Sequence, residues 1–364
     1  MGLSERAPAL PATLRLGTRR SELATTQSAW VAQALQARGH QVELVEIVTE
    51  GDTNRAPLTT MGGTGVFAAA IRQALLAGEV DVAVHSLKDL PVAPEPGLVI
   101  AAIPRREDPR DVLVARDGLT LGEIPAGGVI GTGSPRRAAQ LAALGLGIEV
   151  RAIRGNVGTR VNLVHSGQCD GVVLARAGLS RLGRLEEATE IIDPLQMLPA
   201  PGQGALAVEC READTALIEV LAGLDDADTR VAVTAERALL QALEAGCSAP
   251  VGGLAEIAEE SDESLVVSLR GFVGTTDGAF ELRRSMVGSY DDPARVGREL
   301  AALMLADGAA DVVHHPTGDV PAGDPPVRPA QASVESRPPH STPDAARTPY
   351  PPTPSAPTAT EREK

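Results

Sequence analysis

Short runs of Val, Ile and Leu alternate along most of the chain with longer stretches of helical periodicity. The runs predict strands at LRLG, VELVEIV, DVAVHS, DVLVA, GVIGT, IEVRAI, GVVLA and ALAVEC. The helical stretches between them include SELATTQSAWVAQALQARG, FAAAIRQALLAGE, PRRAAQLAALG and NVGTRVNLVHSG. Strands that alternate with helices predict parallel, doubly wound α/β sheets. Pro104 and Pro201 are suited to crossover hinges between two such sheet domains.

The pattern then changes toward the end of the chain. Helices are predicted at TRVAVTAERALLQALEAG and DPARVGRELAALML, with strands near SLVVSLRGFVG and FELRRSMVG between them. This order predicts a smaller α+β unit. From Pro316 onward prolines mix with Ser, Thr, Ala and balanced charges, a composition that buries too little apolar surface to fold. We predict a disordered tail there and a similar loose segment over residues 1–11.

Composition limits the class of protein. With 364 residues and 43% hydrophobic content, the chain is long enough for two or three domains. Aromatic residues make up 2%, so Ala, Val, Leu and Ile must fill the interior. The formal charge of −15 argues against a protein that binds a nucleic-acid backbone. No basic start with an apolar run and no apolar span of about 18 residues is found, which predicts a cytoplasmic protein without a membrane segment.

The cysteines and histidines predict neither disulfides nor a metal site. Cys169, Cys210 and Cys247 are widely spaced, and the six histidines show no ligand spacing. Cys210 ends a predicted strand and Cys169 precedes one, so both are interpreted as small buried hydrophobes. Cys247 lies in EAGCSAPVGG, between a helix and a proline turn, where we expect an exposed thiol. The pattern does not decide whether that thiol is reactive.

Lys88 stands out among the basic residues. The chain has 33 lysines and arginines, and the only lysines are Lys88 and the terminal Lys364. A bias toward arginine explains the composition but not this exception, which lies beside Asp89 in VHSLKDLP. Two interpretations of Asp89 stay open. It is a salt-bridge partner of a neighbouring base, or it is a carboxylate among cations that stabilises positive charge on a substrate or exchanges a proton with it.

Three predicted strand-to-helix junctions share one design. Each places a residue suited to an N-cap beside arginines: Ser21 with Arg19 and Arg20, Ser134 with Arg136 and Arg137, and Asn156 with Arg154 and Arg160. Free N–H groups at a helix start, the helix dipole and guanidinium groups together bind anions. Arginine in a first helical turn opposes the dipole, so a compensating anion is expected. Ligands of open α/β sheets bind outside the strand carboxyl ends, so the junctions predict one polyanion site, with carboxylates favoured over nucleotide phosphates.

Seven ordered motifs resemble the porphobilinogen deaminase, or hydroxymethylbilane synthase, family. They are GTRRSELA, VHSLKDLP, GTGSPRRAAQL, RGNVGTR, AGLSRLG, PAPGQGALAVECR and AGCSAPVGG, and the resemblance spans residues 14–305. It implies an α/β fold with two periplasmic-binding-protein-like doubly wound domains plus a smaller α+β third domain. The predicted limits are residues 12–104 with 203–222 for domain 1, 105–202 for domain 2, 223–313 for domain 3 and 314–364 for the tail.

The resemblance also implies a reaction and its site residues. Transferases of this family deaminate four porphobilinogen molecules and join them into hydroxymethylbilane, a linear tetrapyrrole on the route to haem. The growing chain is primed by a dipyrromethane cofactor held by a thioether. By motif position Cys247 carries the thioether and Asp89 is the catalytic carboxylate. The implied cofactor-binding residues are Lys88, Ser134, Arg136, Arg137 and Arg160, and the implied substrate-binding residues are Arg19, Ser21, Arg154 and Arg181. A monomer is expected.

Two positions depart from the family pattern, and one alternative function stays open. Thr64, in GGTGVF, stands where the family usually has lysine, and Glu22 replaces a frequent proline after Ser21. The alternative is a non-catalytic carboxylate-binding or sensing protein of the same two-lobed fold, because fold alone does not fix function. Neither the signal peptide nor the DNA-binding segment that such proteins need is predicted. A nucleic-acid site conflicts with the charge and the scarcity of aromatic residues.

Overall fold

The computed structural model describes residues 10–48, 65–245 and 249–314. These residues contain three β-sheets and the helices that pack on them. The side chains of residues 65–67 and 314 are outside that description. Thr64, Cys247 and most of the two segments predicted to be disordered also lie outside it.

The first sheet is built from two parts of the chain: four of its strands precede the second sheet in the sequence, and the fifth follows it. Its strands are β1 (Thr13–Arg19), β2 (Gln41–Ile47), β3 (Val82–Ser86), β4 (Leu98–Ala102) and β10 (Leu206–Arg211). Their order across the sheet is β2-β1-β3-β10-β4. The helices packed on it are α1 (Glu22–Gln36), α2 (Gly65–Leu76) and α6 (Thr215–Ala222). Its core is aliphatic, as the composition requires, with Leu14, Leu16 and Val208 inside.

The second sheet has the same layout. Its strands are β5 (Asp111–Ala115), β6 (Val129–Thr132), β7 (Glu149–Ala152), β8 (Gly171–Ala175) and β9 (Glu190–Ile191). Their order is β7-β6-β8-β5-β9. The helices that follow its parallel strands are α3 (Pro135–Ala143), α4 (Val157–His165) and α5 (Arg176–Arg181).

One strand in each sheet runs against the others, so both sheets are mixed, whereas the sequence pattern predicted parallel sheets. β10 pairs antiparallel with β3 and β4, and β5 pairs antiparallel with β8 and β9. Both reversed strands follow a crossover from the other sheet, through residues 103–110 or 192–205. Pro104 and Pro201 lie in these crossovers, at the predicted places. Reversal brings the first residue of β5 to the sheet edge where the parallel strands end.

The third unit is an antiparallel sheet covered by helices, which confirms the predicted smaller α+β unit. Its elements are α7 (Ala227–Ala242), β11 (Val251–Glu259), β12 (Leu265–Gly274), β13 (Glu281–Ser289), α8 (Pro293–Ala306) and α9 (Ala309–His314). Gly297 lets α8 lie directly on α7, because a Cβ at this position would be 2.3 Å from the Ala235 carbonyl oxygen. Among the helices described here, none is long and apolar enough to cross a membrane.

The sequence did not predict β4, β9, β11, α5, α6 or α9. For β11 the reason is its two glycines, which weaken the strand signal. The packing requires them, since a Cβ at Gly252 would lie 3.0 Å from the Leu198 Cβ and one at Gly253 would lie 3.2 Å from the Pro201 Cγ. The second crossover therefore packs directly on the third sheet. The predicted fold class is confirmed, and the domain limits stay predictions.

A buried carboxylate on α7 joins the third unit to both crossovers. Glu236 is fully buried and accepts hydrogen bonds from Arg106 Nη1 at 2.6 Å and Nη2 at 3.0 Å. The same carboxylate accepts from the backbone N–H groups of Gly202 at 2.6 Å and Ala255 at 2.9 Å. Its two oxygens thus connect α7, β11 and the two crossovers.

Glu236→Gln should lower the thermal stability of the chain substantially. The change leaves the Arg106 guanidinium, whose side chain is only 10% exposed, without a compensating charge, which costs about 3–5 kcal/mol. Thermal denaturation followed by circular dichroism measures it. The control is Glu256→Gln, which breaks the more exposed pair with Arg270 and should cost at most about 1 kcal/mol. Equal losses in the two variants would contradict the role given to Glu236.

Candidate functional site

The turn after β3 presents Lys88 and Asp89 at the carboxyl edge of the first sheet. Leu87–Asp89 form one turn of 3₁₀ helix, with the Leu87 and Leu90 side chains buried on one side. The Leu87 N–H donates to the Ala205 carbonyl at 3.0 Å. Because the leucines anchor the turn, Lys88 and Asp89 are left half-buried on its other side.

Lys88 is surrounded by charges from both sheets. Its Nζ donates to Gln203 Oε1 at 3.3 Å. Burial lowers the pKa of Lys88 to about 8; Arg137 and Arg136 act in the same direction, and Asp89 and Asp111 oppose them. Three of these four charged groups belong to the second sheet or its helices, so this lysine faces the space between the sheets.

Arg136 and Arg137 are buried at the start of α3 and share one carboxylate. Arg136 Nη2 donates to Asp111 Oδ2 at 2.8 Å, and Arg137 Nη2 donates to Asp111 Oδ1 at 2.7 Å. Their Nη1 groups donate to the carbonyls of Leu198 and Val173. The Nε atoms of both arginines are buried and make no hydrogen bond within the described part of the chain. Two guanidinium groups against one carboxylate leave this cluster with net positive charge.

Ser134 occupies the predicted N-cap position of α3, and Pro135 follows at the first helical position. The Ser134 side chain makes no capping hydrogen bond, whereas its backbone N–H donates to Thr132 Oγ1 at 3.2 Å. Ser21 and Asn156 do cap their helices, accepting from Ala24 N at 3.3 Å and from Thr159 N at 2.8 Å. Two of the three predicted caps are therefore confirmed by their side-chain hydrogen bonds.

Arg160, on α4, is electrostatically coupled to the other groups of the site. Its Nε donates to the Gly155 carbonyl at 2.9 Å. Its pKa is lowered to about 10, mainly by burial; Arg137 and Arg154 act in the same direction, and Asp89 opposes them. Asp89 comes from the first sheet and Arg160 from the second, so the structure brings these two predicted site residues to the same cleft.

Arg181 and Arg19 complete the predicted set. Arg181, the last residue of α5, donates from Nη2 to the Gly204 carbonyl of the second crossover at 2.7 Å. Burial lowers its pKa, and Glu107 opposes that effect. Arg19 ends β1, and its carbonyl accepts from Thr25 Oγ1 at 3.3 Å. Arg19 lies at the end of a strand and Arg181 at the end of a helix, and their roles toward a ligand stay predictions.

Three functional candidates were missed by the sequence reasoning. Asp111 and Gln203 are buried, and Gln203 Nε2 donates to Asp111 Oδ1 at 2.8 Å. Arg237 of α7 donates to the carbonyls of Leu90 at 3.2 Å and Pro91 at 2.7 Å, and so supports the turn that holds Lys88 and Asp89. An acidic residue opening an otherwise apolar strand was the available signal for Asp111.

The cysteine predictions are confirmed where the structure describes them. Cys169 and Cys210 are buried thiols. Burial raises the pKa of both, that of Cys210 to about 12, so neither forms a thiolate readily. Cys247 follows α7 and lies outside the described residues.

Two family models match this chain. The one described as "Porphobilinogen deaminase, dipyromethane cofactor binding domain" matches residues 14–219. The one described as "Porphobilinogen deaminase, C-terminal domain" matches residues 231–306. Together they cover the elements of all three sheets.

Curated proteins with similar sequences are named porphobilinogen deaminase. The porphobilinogen deaminase of Mycobacterium bovis (strain BCG / Pasteur 1173P2) is 59% identical over 304 residues, which is 82% of this chain and 98% of that protein. The porphobilinogen deaminase of Mycobacterium marinum is 57% identical, over 82% of this chain and 96% of that protein. The solved structure of the methionine-binding protein MetQ matches with a TM-score of 0.39 and 13% identity, over 58% of this chain and 89% of that one. On the family models and the two mycobacterial relatives, the chain belongs to the porphobilinogen deaminase family.

Proposed function

We propose that the chain is a transferase that deaminates four porphobilinogen molecules and joins them into hydroxymethylbilane. The observation that carries the proposal is the cleft itself, where Asp89 of the first sheet is coupled to Arg160 of the second among several buried cations. Each pyrrole of the substrate bears two carboxylates, so a growing chain needs many guanidinium partners. The half-buried carboxylate of Asp89 among these cations suits positive charge that appears only during the reaction.

Asp89 is the catalytic residue of the proposal. As the C–N bond of porphobilinogen breaks, ammonia leaves with the bonding electrons and positive charge develops on the remaining pyrrole. The Asp89 carboxylate stabilises that charge while the pyrrole carbon of the growing chain attacks. The attacked carbon loses its proton afterwards, and the same carboxylate is placed to accept it.

A dipyrromethane cofactor on Cys247 primes the chain in this proposal. The described residues fit such a group, because the buried Nε donors of Arg136 and Arg137 lack acceptors within the described part of the chain and a polycarboxylate supplies acceptors. When bound, the cofactor supplies the nucleophilic pyrrole carbon. The proposed cofactor ligands are Lys88, Ser134, Arg136, Arg137 and Arg160, and the proposed substrate ligands are Arg19, Ser21, Arg154 and Arg181.

The proposal is tested by supplying porphobilinogen to the purified chain. Ammonia should be released and a linear tetrapyrrole should accumulate. A binding or sensing protein of the same fold would bind the compound and release no ammonia, which would overturn the proposal. We also propose that the enzyme is a cytoplasmic monomer, and sedimentation at equilibrium tests its mass.

We expect Lys88 to produce an alkaline limb in the pH profile, that is, a fall in activity as the pH rises. Its ammonium is charged below its pKa of about 8 and neutral above it, so its hold on a ligand carboxylate weakens as the pH rises through that value. We expect kcat/KM to fall above about pH 8 in the wild type. Lys88→Arg, whose side chain stays charged, should lack this limb. An identical limb in the two proteins would assign it to another group.

A further inference from the structure

Asp111 owes its position to the reversed strand. It is the first residue of β5 and pairs with Ala175, the last residue of β8. In a parallel sheet an aspartate opening the strand would lie at the opposite edge, away from the ligand. The antiparallel direction instead puts its carboxylate at the edge where β6, β7 and β8 end and where the arginines that follow them lie.

Three side chains converge on this carboxylate, which is fully buried. Arg136 and Arg137 hold one oxygen each, and Gln203 Nε2 shares the oxygen bound by Arg137, at 2.8 Å. Gln203 in turn accepts from Lys88 through its Oε1 at 3.3 Å. The result is a chain of contacts from the turn of the first sheet, through the second crossover, to the start of α3.

Asp111 is also the anion that the arginines of α3 require. Two adjacent guanidinium groups repel each other, and both oppose the dipole of the helix that they begin. Burying them without a counter-charge would cost several kcal/mol. The sequence assigned this compensation to a ligand, whereas at this junction the chain supplies it.

We infer that Asp111 is the positioning residue that orients Arg136, Arg137 and, through Gln203, Lys88 toward the carboxylates of the bound pyrroles. This inference rests on the proposed function. Asp111 itself makes no contact with the ligand, since its oxygens are occupied by protein donors and its side chain is buried. Its effect on the reaction runs through the three cations.

The test is Asp111→Asn, compared with the cofactor-loaded wild type. An amide offers one acceptor and turns an N–H donor toward a guanidinium N–H donor, so one arginine must move. We expect KM for porphobilinogen to rise about tenfold or more with a smaller change in kcat, and the fraction of chains carrying a two-pyrrole adduct to fall. The alkaline limb should also move to lower pH. The charged groups around Lys88 are Asp89, Arg136, Arg137 and Asp111, and the variant removes the negative charge of Asp111, which raises the pKa of Lys88.

A matched control lies at the other edge of the first sheet. Asp81 is also buried and binds two arginines, Arg15 at 2.7 Å and Arg211 at 3.0 Å. Asp81→Asn should lower stability without changing KM, adduct fraction or pH profile. An equal rise of KM in both variants would show a general effect of unfolding and overturn the inference, and so would an unchanged KM and pH profile in Asp111→Asn.

A conservative variant keeps the test decisive. If Asp111→Asn does not yield folded protein, Asp111→Glu retains the charge and displaces it by one methylene. It should fold and raise KM by a smaller factor, and a wild-type KM and pH profile would overturn the inference. The proposed function fails separately, if the wild type carries no adduct and releases no ammonia.

Discussion

Asp89→Asn should keep the two-pyrrole adduct on the chain and lower kcat by about 10²–10⁴-fold. The amide has nearly the shape of the carboxylate, so binding contacts survive. It carries no charge to stabilise the cation left when ammonia departs, and it does not accept the ring proton. General-base and electrostatic contributions of a single group have this size.

Steady-state ammonia release and the intact mass of the same sample together measure this effect. Asp262→Asn is a suitable control, because Asp262 is an exposed carboxylate between β11 and β12. It should behave as wild type. An Asp89→Asn enzyme with nearly normal kcat would show that the catalytic carboxylate lies elsewhere.

Cys247→Ser should abolish both the adduct and turnover. A thioether needs the sulfur nucleophile, and a serine hydroxyl is a much weaker nucleophile at neutral pH. Without a covalently held primer the elongating chain has no anchor near Asp89. The intact mass should equal that of the bare sequence, and porphobilinogen should yield no tetrapyrrole.

The two buried cysteines provide controls for this prediction. Cys169→Ala and Cys210→Ala should retain the adduct, since both thiols are buried and their pKa values are raised. An adduct that persists in Cys247→Ser, or one lost in either control, would place the attachment on another residue.

Local signals in the sequence predicted the parallel part of the fold and the helix starts. Ser21 and Asn156 cap the helices that follow β1 and β7, because short polar side chains reach the free N–H groups there. The aliphatic runs of β3 and β5 became buried strands, whereas β2 and β7, at the edges of their sheets, are largely exposed. These properties depend on residues a few positions apart, which a single sequence contains.

The reversal of β5 and β10 could not be predicted in this way. Their apolar runs look like those of the parallel strands, and direction is set by the crossovers between sheets. With β5 assumed parallel, Asp111 belonged to the wrong edge, so its role beside Arg136 and Arg137 was missed. Gln203 was missed because its partners Lys88 and Asp111 belong to different sheets, which a single sequence does not bring together.

The intact mass of the wild-type chain tests the account most directly, before and during turnover of limiting porphobilinogen. The resting protein should exceed its sequence mass by two linked pyrroles, and further species should appear in steps of one pyrrole. These masses should be missing from Cys247→Ser. A wild-type chain that stays at its unmodified mass while it produces a linear tetrapyrrole would contradict the proposed covalent mechanism.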